Sequence, residues 1–281
     1  MTSNCVTVLQ LAGRANKLIQ RSATGELKKH PGPPISEAKA VTVNVPDCDA
    51  LSKLLLKIAK DANAVIIPGG FFPGTEPDEN KPLAVGPEFC VSSKATIAQQ
   101  IGVDDDDMDA LAGWHDINGQ RHIARLKTNM APSNWMIFDR DEVQGMPENM
   151  AKMTDDEWWT AMCSMVPGLS EVPKVRVPSS TGRVLVDGKP MSASGQHWYV
   201  PIHDGNDLER FGATLLQRSF LAGYGFMRPF YSSDDKNKII SRRQWSIFDP
   251  TTFSRERIVY EGAPTLVGMG LSLASPQIEV L

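Results

Sequence analysis

Two aspartates separated by one residue close the apolar run in "SNWMIFDRDE", residues 133–142. Side chains two apart on a strand point to one face. Asp139 and Asp141 can therefore present their carboxylates together at a strand end. All-oxygen ligands suit a hard cation, Mg²⁺ or Mn²⁺. A second apolar run, "WSIF", ends at Asp249, which can add a third carboxylate from another strand. Three buried carboxylates repel one another strongly without a cation, so an ion-holding site is the self-consistent arrangement. Such a site bridges nucleotide phosphates and activates a 3′-hydroxyl. The spacing alone is weak: Asp47 and Asp49 share it, but they follow Val45-Pro46 and precede a helical pattern, where capping accounts for them.

His197 enters the apolar run "HWYV" behind a small-residue turn, Ser194-Gly195-Gln196. Small residues let a phosphate approach the backbone, and a histidine there can donate to it. A lone histidine beside a strand also serves as an ordinary core or surface residue. His203, six residues on, fits a turn at the far end of the strand. Ser179-Ser180-Thr181-Gly182-Arg183 reads equally as a pocket element or a strand-ending turn. Basic residues gather late in the chain, among them Lys174, Arg176, Arg183, Arg228, Arg242, Arg243, Arg255 and Arg257. They suit a local grip on nucleic acid and equally an ordinary solvated surface.

The elements that must position these groups are legible in outline. Val41, Val43 and Val45 alternate as in a half-buried strand. Asp47 or Asp49 can cap a helix whose apolar face is Leu51, Leu54, Leu55 and Ile58. "AVIIPGG" reads as a buried strand, and "SSKATIAQQIG" as a helix. The four aspartates of "DDDDMDALAGW" fit a helix N-terminus or solvated turn, because neighbouring carboxylates do not converge on one ion. "RHIARLK", "NWMIFDRD", "KVRVPSSTGRVLVDG" and "GQHWYVPIH" read as strands. Thr154 three residues before Glu157 is a capping-box signature, and Trp158, Trp159 and Met162 fit a core better than a base-stacking platform. "DLERFGATLLQRSFLAGYG" predicts an amphipathic helix, capped by Asp207 and ended at Gly223 or Gly225.

Composition bounds the rest. A chain of 281 residues with 41% hydrophobic content can bury a sizeable core, as one large domain or two small ones. No apolar run is long enough to cross a bilayer, and the N-terminus lacks a secretory pattern. Cys5, Cys48, Cys90 and Cys163 are scattered without a C-x-x-C pair, which points away from a zinc ribbon or disulfide framework and toward a reducing, cytoplasmic compartment. A net charge of −4 excludes a protein that coats nucleic acid non-specifically, but not one that grips it locally.

In order, "IFDRD", "SGQH" and "SIFD" resemble the three motifs of the archaeo-eukaryotic primase superfamily: D-x-D on a strand, small-x-His, and an apolar run ending in an acid. "LERFGATLLQRSFLAGYGF" and "DPTTFSRERIVYEGAP" are similar to stretches of its primase-polymerase domains in phages, plasmids and integrated elements. The resemblance covers about residues 133–265. It implies an α/β (α+β) fold of two modules, an N-terminal α/β module over 1–120 and a catalytic module over 121–281. The second would be an RNA-recognition-like sheet with the carboxylates on its open face. It further implies a DNA-templated nucleotidyltransferase, a primase, a DNA polymerase or both, serving a mobile element. Asp139, Asp141 and Asp249 would hold two Mg²⁺ or Mn²⁺ ions. His197, with Ser194, Gly195, Ser180 and Arg257, would bind the nucleotide, and Arg242, Arg243 and Arg183 the nucleic acid. Its partners would be single-stranded DNA, NTPs or dNTPs, and a replicative helicase. Two alternatives stay open: a replication-initiator endonuclease using Tyr199 with the histidines of "HWYVPIH", and an inactive single-stranded-DNA-binding module.

Overall fold

The computed structural model describes residues 4–71, 74–191, 195–232, 234–235 and 237–281. Ser194, expected in the phosphate-facing turn, lies outside them.

The strand–helix–strand pattern around residue 50 is present. β4 (Glu37–Asn44) leads through α1 (Cys48–Ile58) to β5 (Ala64–Ile67). Asp47 is the cap, its carboxylate accepting from Ala50 N at 2.7 Å. β1 (Cys5–Gln10) lies between β4 and β5 and pairs antiparallel with both. β6 (Phe89–Ser92), β8 (Gln120–Ala124) and β7 (Trp114–Ile117) extend the sheet to the order β5-β1-β4-β6-β8-β7. Helix α2 (Lys94–Ile101) ends at Gly102, which has φ +77. The aspartates at 104–107 lie exposed in turns.

A second sheet has the order β18-β10-β13-β9, every neighbour antiparallel: β9 (Trp135–Arg140), β10 (Val175–Pro178), β13 (Gln196–Pro201) and β18 (Glu279–Val280). The short α3 (Glu148–Ala151) and then α4 (Asp155–Met165) follow β9. The Thr154–Glu157 capping box of α4 is complete. After β13 comes α5 (Leu208–Leu221), ended by Gly223 at φ +81. Asp207 does not cap α5. A tight turn at Gly205–Asp207 runs directly into the helix, so Asp207 already has helical backbone angles and its carboxylate binds Arg210 instead. The hairpin β14 (Gly225–Tyr231) and β15 (Ile239–Ser246) follows. Two small sheets complete the fold. β12 (Lys189–Pro190), β11 (Val184–Val186) and β17 (Leu271–Leu273) form one; β16 (Thr265–Val267), β2 (Leu18–Arg21) and β3 (Leu27–His30) form the other. The class is mixed α/β.

Side-chain alternation along β9 divides the core. Met136 and Phe138 pack with Trp158 and Met162 of α4 and with Leu208 and Leu215 of α5. Trp135 and Ile137 point the other way, joining Val175, Val177 and Tyr199 against Val6, Val43 and Ile66 of the first sheet and Leu51, Leu54 and Leu55 of α1. Trp135 Nε1 donates to Val45 O at 3.1 Å across this layer. The face expected to be open is therefore largely closed. Each large apolar side chain placed there gains about 1.5–3 kcal/mol by burial, which favours covering it with the first sheet. The expected boundary at 120/121 falls within β8, and the C-terminal segment crosses back: Val259 bridges Ile66, and β16 pairs with β2. No described helix is long and apolar enough to cross a membrane, and among the described residues the cysteines form no disulfide.

Candidate active site

The register of β9 and β13 sets His197 directly opposite Asp139. His197 Nε2 lies 3.4 Å from Asp139 Oδ1. That is an electrostatic contact outside hydrogen-bond geometry, and it leaves the buried Oδ1 without a hydrogen-bond partner among the described residues. After β15 the chain docks on the same strand, with Asp249 N donating to Asp139 O at 2.9 Å. Asp249 Oδ1 accepts from Thr251 N at 2.8 Å, and its Oδ2 accepts from Arg257 at 3.3 Å. Asp141 lies just past the end of β9. It lines a cleft of about 330 Å³ together with Lys29, Gln144, Thr181 and Met191. The structure thus brings Asp139, Asp249, His197 and Arg257 to one strand end, with Asp141 adjacent. Among the described residues, the three aspartates do not form a set with ligand atoms all within 4.8 Å of one another.

Arg140, between the two aspartates, points to the opposite face, where it is buried and pairs with Asp155 and the Met153 carbonyl. It has no part in the site.

Burial pushes the Asp139 carboxyl up, but His197, Lys17 and Arg257 outweigh it and hold the group below the ordinary carboxylate value. Asp141 is raised, by burial first and by Asp139 second, while Lys17 and Lys29 oppose the shift. For His197, burial acts to lower the value, yet Glu261 and then Asp139 overcome it and keep the imidazole protonated well above its usual range.

Glu261 was missed by sequence reasoning. Its side chain is fully buried; His197 Nδ1 lies 2.6 Å from Oε1, and the Tyr199 hydroxyl donates to the same oxygen at 2.5 Å. The backbone places it there. A Cβ at Gly262 would sit 2.3 Å from Asp61 O and 2.5 Å from Ala64 O. Only glycine lets the chain pass so close to the first module. The available signal was a lone acid between apolar Val259-Tyr260 and Gly262, which has no chemistry until the fold brings His197 to it. Lys17 and Lys29 were likewise missed, since nothing local in the first thirty residues marks them.

The remaining expected residues divide. Gly195 O accepts from Ser179 N at 2.8 Å, so the "SSTG" turn packs on the start of β13. Ser180 is fully buried, and its hydroxyl has no partner among the described residues. Thr181, not Ser180, reaches the cleft. Arg183, expected at a nucleic-acid surface, is only 3% exposed and donates to Ala59 O at 2.8 Å, near the end of α1. Its guanidinium closes off a helix terminus rather than facing a strand of nucleic acid. Arg242 and Arg243 are exposed on β15. Arg243 lies over Phe230 at 5.0 Å, and its cross-strand partner Arg228 lies over Trp245 at 4.2 Å. Arg228 also feels Asp249 and Asp141, so this hairpin flanks the acidic end of β9. Trp158 and Met162 are buried, and Trp159 stacks on Trp198 at 4.7 Å.

Compared with family models, curated proteins and solved structures, the chain matches none.

Proposed function

We propose that the chain is a DNA-templated nucleotidyltransferase of the primase-polymerase kind, acting at the end of β9. The observation that carries this reading is the pairing of Asp139 with a histidine held protonated by Glu261, with Asp249 docked on the same strand end. The donor set fits a hard divalent cation: a buried carboxylate oxygen without a partner among the described residues, and a neighbouring carboxylate, Asp141, raised by burial and then by Asp139. Asp139, Asp141 and Asp249 would hold Mg²⁺ or Mn²⁺. Bound there, the ions would acidify an attacking 3′-hydroxyl and neutralise the leaving diphosphate.

The chain's own residues supply the rest. Glu261 fixes the imidazole through Nδ1, so Nε2 faces Asp139 and would donate a hydrogen bond to a nucleotide phosphate held beside that carboxylate. Lys29, in the cleft wall, and Arg257, beside Asp249, add positive charge for the same phosphates. The exposed arginines of the β14–β15 hairpin, with Phe230 and Trp245 beneath them, form a basic flank for a single-stranded template. The order β10-β13-β9, with α4 and α5 on one face, matches three strands of an RNA-recognition-like sheet and supports the reading; it departs at the fourth, since β18 lies beside β10 where that topology puts its last strand beside β9.

The endonuclease reading loses support at Tyr199, whose hydroxyl is buried and committed to Glu261, while His203 is exposed beyond the end of β13.

The deciding experiment is synthesis on unprimed and primed single-stranded DNA, with NTPs and dNTPs supplied separately and Mg²⁺ or Mn²⁺ present. The wild-type chain incorporates nucleotide, and Asp139→Ala/Asp141→Ala does not. Binding of DNA without incorporation points to the inactive module, and nicking without triphosphates to the endonuclease. Replacing Arg242 and Arg243 by Ala weakens DNA binding and lowers its salt slope by about 0.7 for each phosphate no longer neutralised, with thermal stability unchanged.

A further inference from the structure

The six-stranded sheet carries a second group of ligand-type side chains, far along it from the β1–β5 edge. Cross-strand pairing sets Lys39 of β4 opposite Cys90 of β6, and Cys90 opposite His122 of β8. Glu37 is two residues from Lys39, so Glu37, Cys90 and His122 share one face. One ligand atom from each lies within 4.8 Å of the other two. Cys90 and His122 are buried, and Glu37 stands at the surface. Two further observations point to a ligand. His115 of β7 is directly opposite His122, and its Nε2 is buried without a hydrogen-bond partner among the described residues. Ser92 Oγ lies 3.1 Å from His122 Nδ1, which orients the ring. Holding the second ring nitrogen in this way is the usual support of a metal-binding histidine. The Cys90 thiol, 3.6 Å from Gln120 Oε1, would exchange that contact for the ion.

We propose that Glu37, Cys90 and His122 bind one divalent cation of the zinc class, with His115, which lies outside the set of ligand atoms within 4.8 Å of one another, turning in as a fourth ligand on binding. The donor chemistry selects the ion. A thiolate with imidazoles favours a borderline-soft metal and disfavours Mg²⁺, which takes oxygen. Lys39, the cation nearest on this face by register, is engaged by Glu88 at 2.9 Å. The bound ion would tie β4, β6, β8 and β7 together across the sheet, a role separate from the all-oxygen set at the end of β9.

The test is a Co²⁺ titration of the purified full-length chain after chelation. One Co²⁺ per chain produces the near-ultraviolet thiolate-to-cobalt charge-transfer band and tetrahedral d–d absorption, and Zn²⁺ displaces both. Cys90→Ser abolishes the charge-transfer band, whereas replacing Cys5, Cys48 and Cys163 by Ser keeps it. His122→Ala and His115→Gln each weaken Zn²⁺ binding by at least about tenfold, the low end of what losing even a supporting partner costs. Zn²⁺ raises the melting temperature of the wild-type chain but not of Cys90→Ser, whose metal-free circular dichroism matches wild type and so excludes misfolding. A band that survives Cys90→Ser, or no band on full titration, overturns the proposal. The band persists in Asp139→Ala/Asp141→Ala, which separates this site from the nucleotide site.

Discussion

Asp47-Cys48-Asp49 and Asp139-Arg140-Asp141 share a spacing and nothing else. The first pair is exposed and serves a helix, Asp47 taking the Ala50 amide and Asp49 sitting in the first turn of α1. The second ends a strand, and Asp139 is nearly covered, with one oxygen unpartnered and a protonated histidine beside it. Asp47's carboxylate takes an amide three residues on, and its carbonyl one four residues on. Asp139 meets His197 from 58 positions away and Asp249 from 110 positions away, and His197 in turn meets Glu261. The same two-carboxylate pattern becomes a cap or a site according to what the following element is and which distant segments fold onto it.

The sharpest way to break this contrast is to delete both pairs. Asp139→Ala/Asp141→Ala abolishes templated incorporation, while Asp47→Ala/Asp49→Ala leaves it intact in the same assay. Incorporation surviving in the first variant would make the two motifs equivalent and end the assignment.

Glu261 is the next lever, because it is the distant residue that gives His197 its charge. His197 has its value raised on folding, so its stabilising pairing is fully present below the ordinary imidazole value of 6.5 and is lost as pH rises through the higher folded value. Glu261→Gln removes the larger of the two raising charges and lets burial prevail. The imidazole then titrates at lower pH, which NMR of the ring carbons follows directly. The alkaline limb of the synthesis pH profile moves down with it. Glu261→Ala, which strands a buried partner, destabilises the chain by about 3–5 kcal/mol in denaturant unfolding. An unshifted imidazole titration in Glu261→Gln would assign the charge to Asp139 alone.

Gly262→Ala tests how Glu261 is placed. An added methyl meets two backbone carbonyls, and the cost is about 1–3 kcal/mol, with synthesis reduced through the displaced Glu261–His197 pair. A fully stable, fully active variant would show that the close approach at Gly262 is incidental. The smallest effects belong to the capping pair. Asp47→Ala lowers stability by about 1 kcal/mol through loss of the cap, and Asp49→Ala changes it by no more than about 0.5 kcal/mol. An equal loss in both would mean that Asp49 shares the capping.

Local features were readable. The apolar stripe of α1, the Thr154–Glu157 box and the strand under "WMIF" depend on neighbours within a few residues, and each is present. So does the contrast of Arg140 with its flanking aspartates, which follows from the period of two along a strand. The strand carrying Val41 and Val43 is present too, but not half-buried, since Thr42 and Asn44 between and beyond the valines are buried as well. The Asp207 cap failed because a preceding turn moved the helix start upstream, a shift of a few residues that periodicity does not resolve. The open sheet face failed because its covering comes from another sheet.

The sequence by itself therefore determined several of the elements, among them β5, β9, β13, α1, α4 and α5, and the candidate ligands at the ends of apolar runs, since these rest on local hydrophobic period and capping. Only the tertiary structure decided that Arg183 is buried, that Glu261 charges His197 and that lysines from the first thirty residues face Asp141. Those outcomes depend on burial and on charges brought together across large sequence separations. Neither quantity exists until the chain has folded.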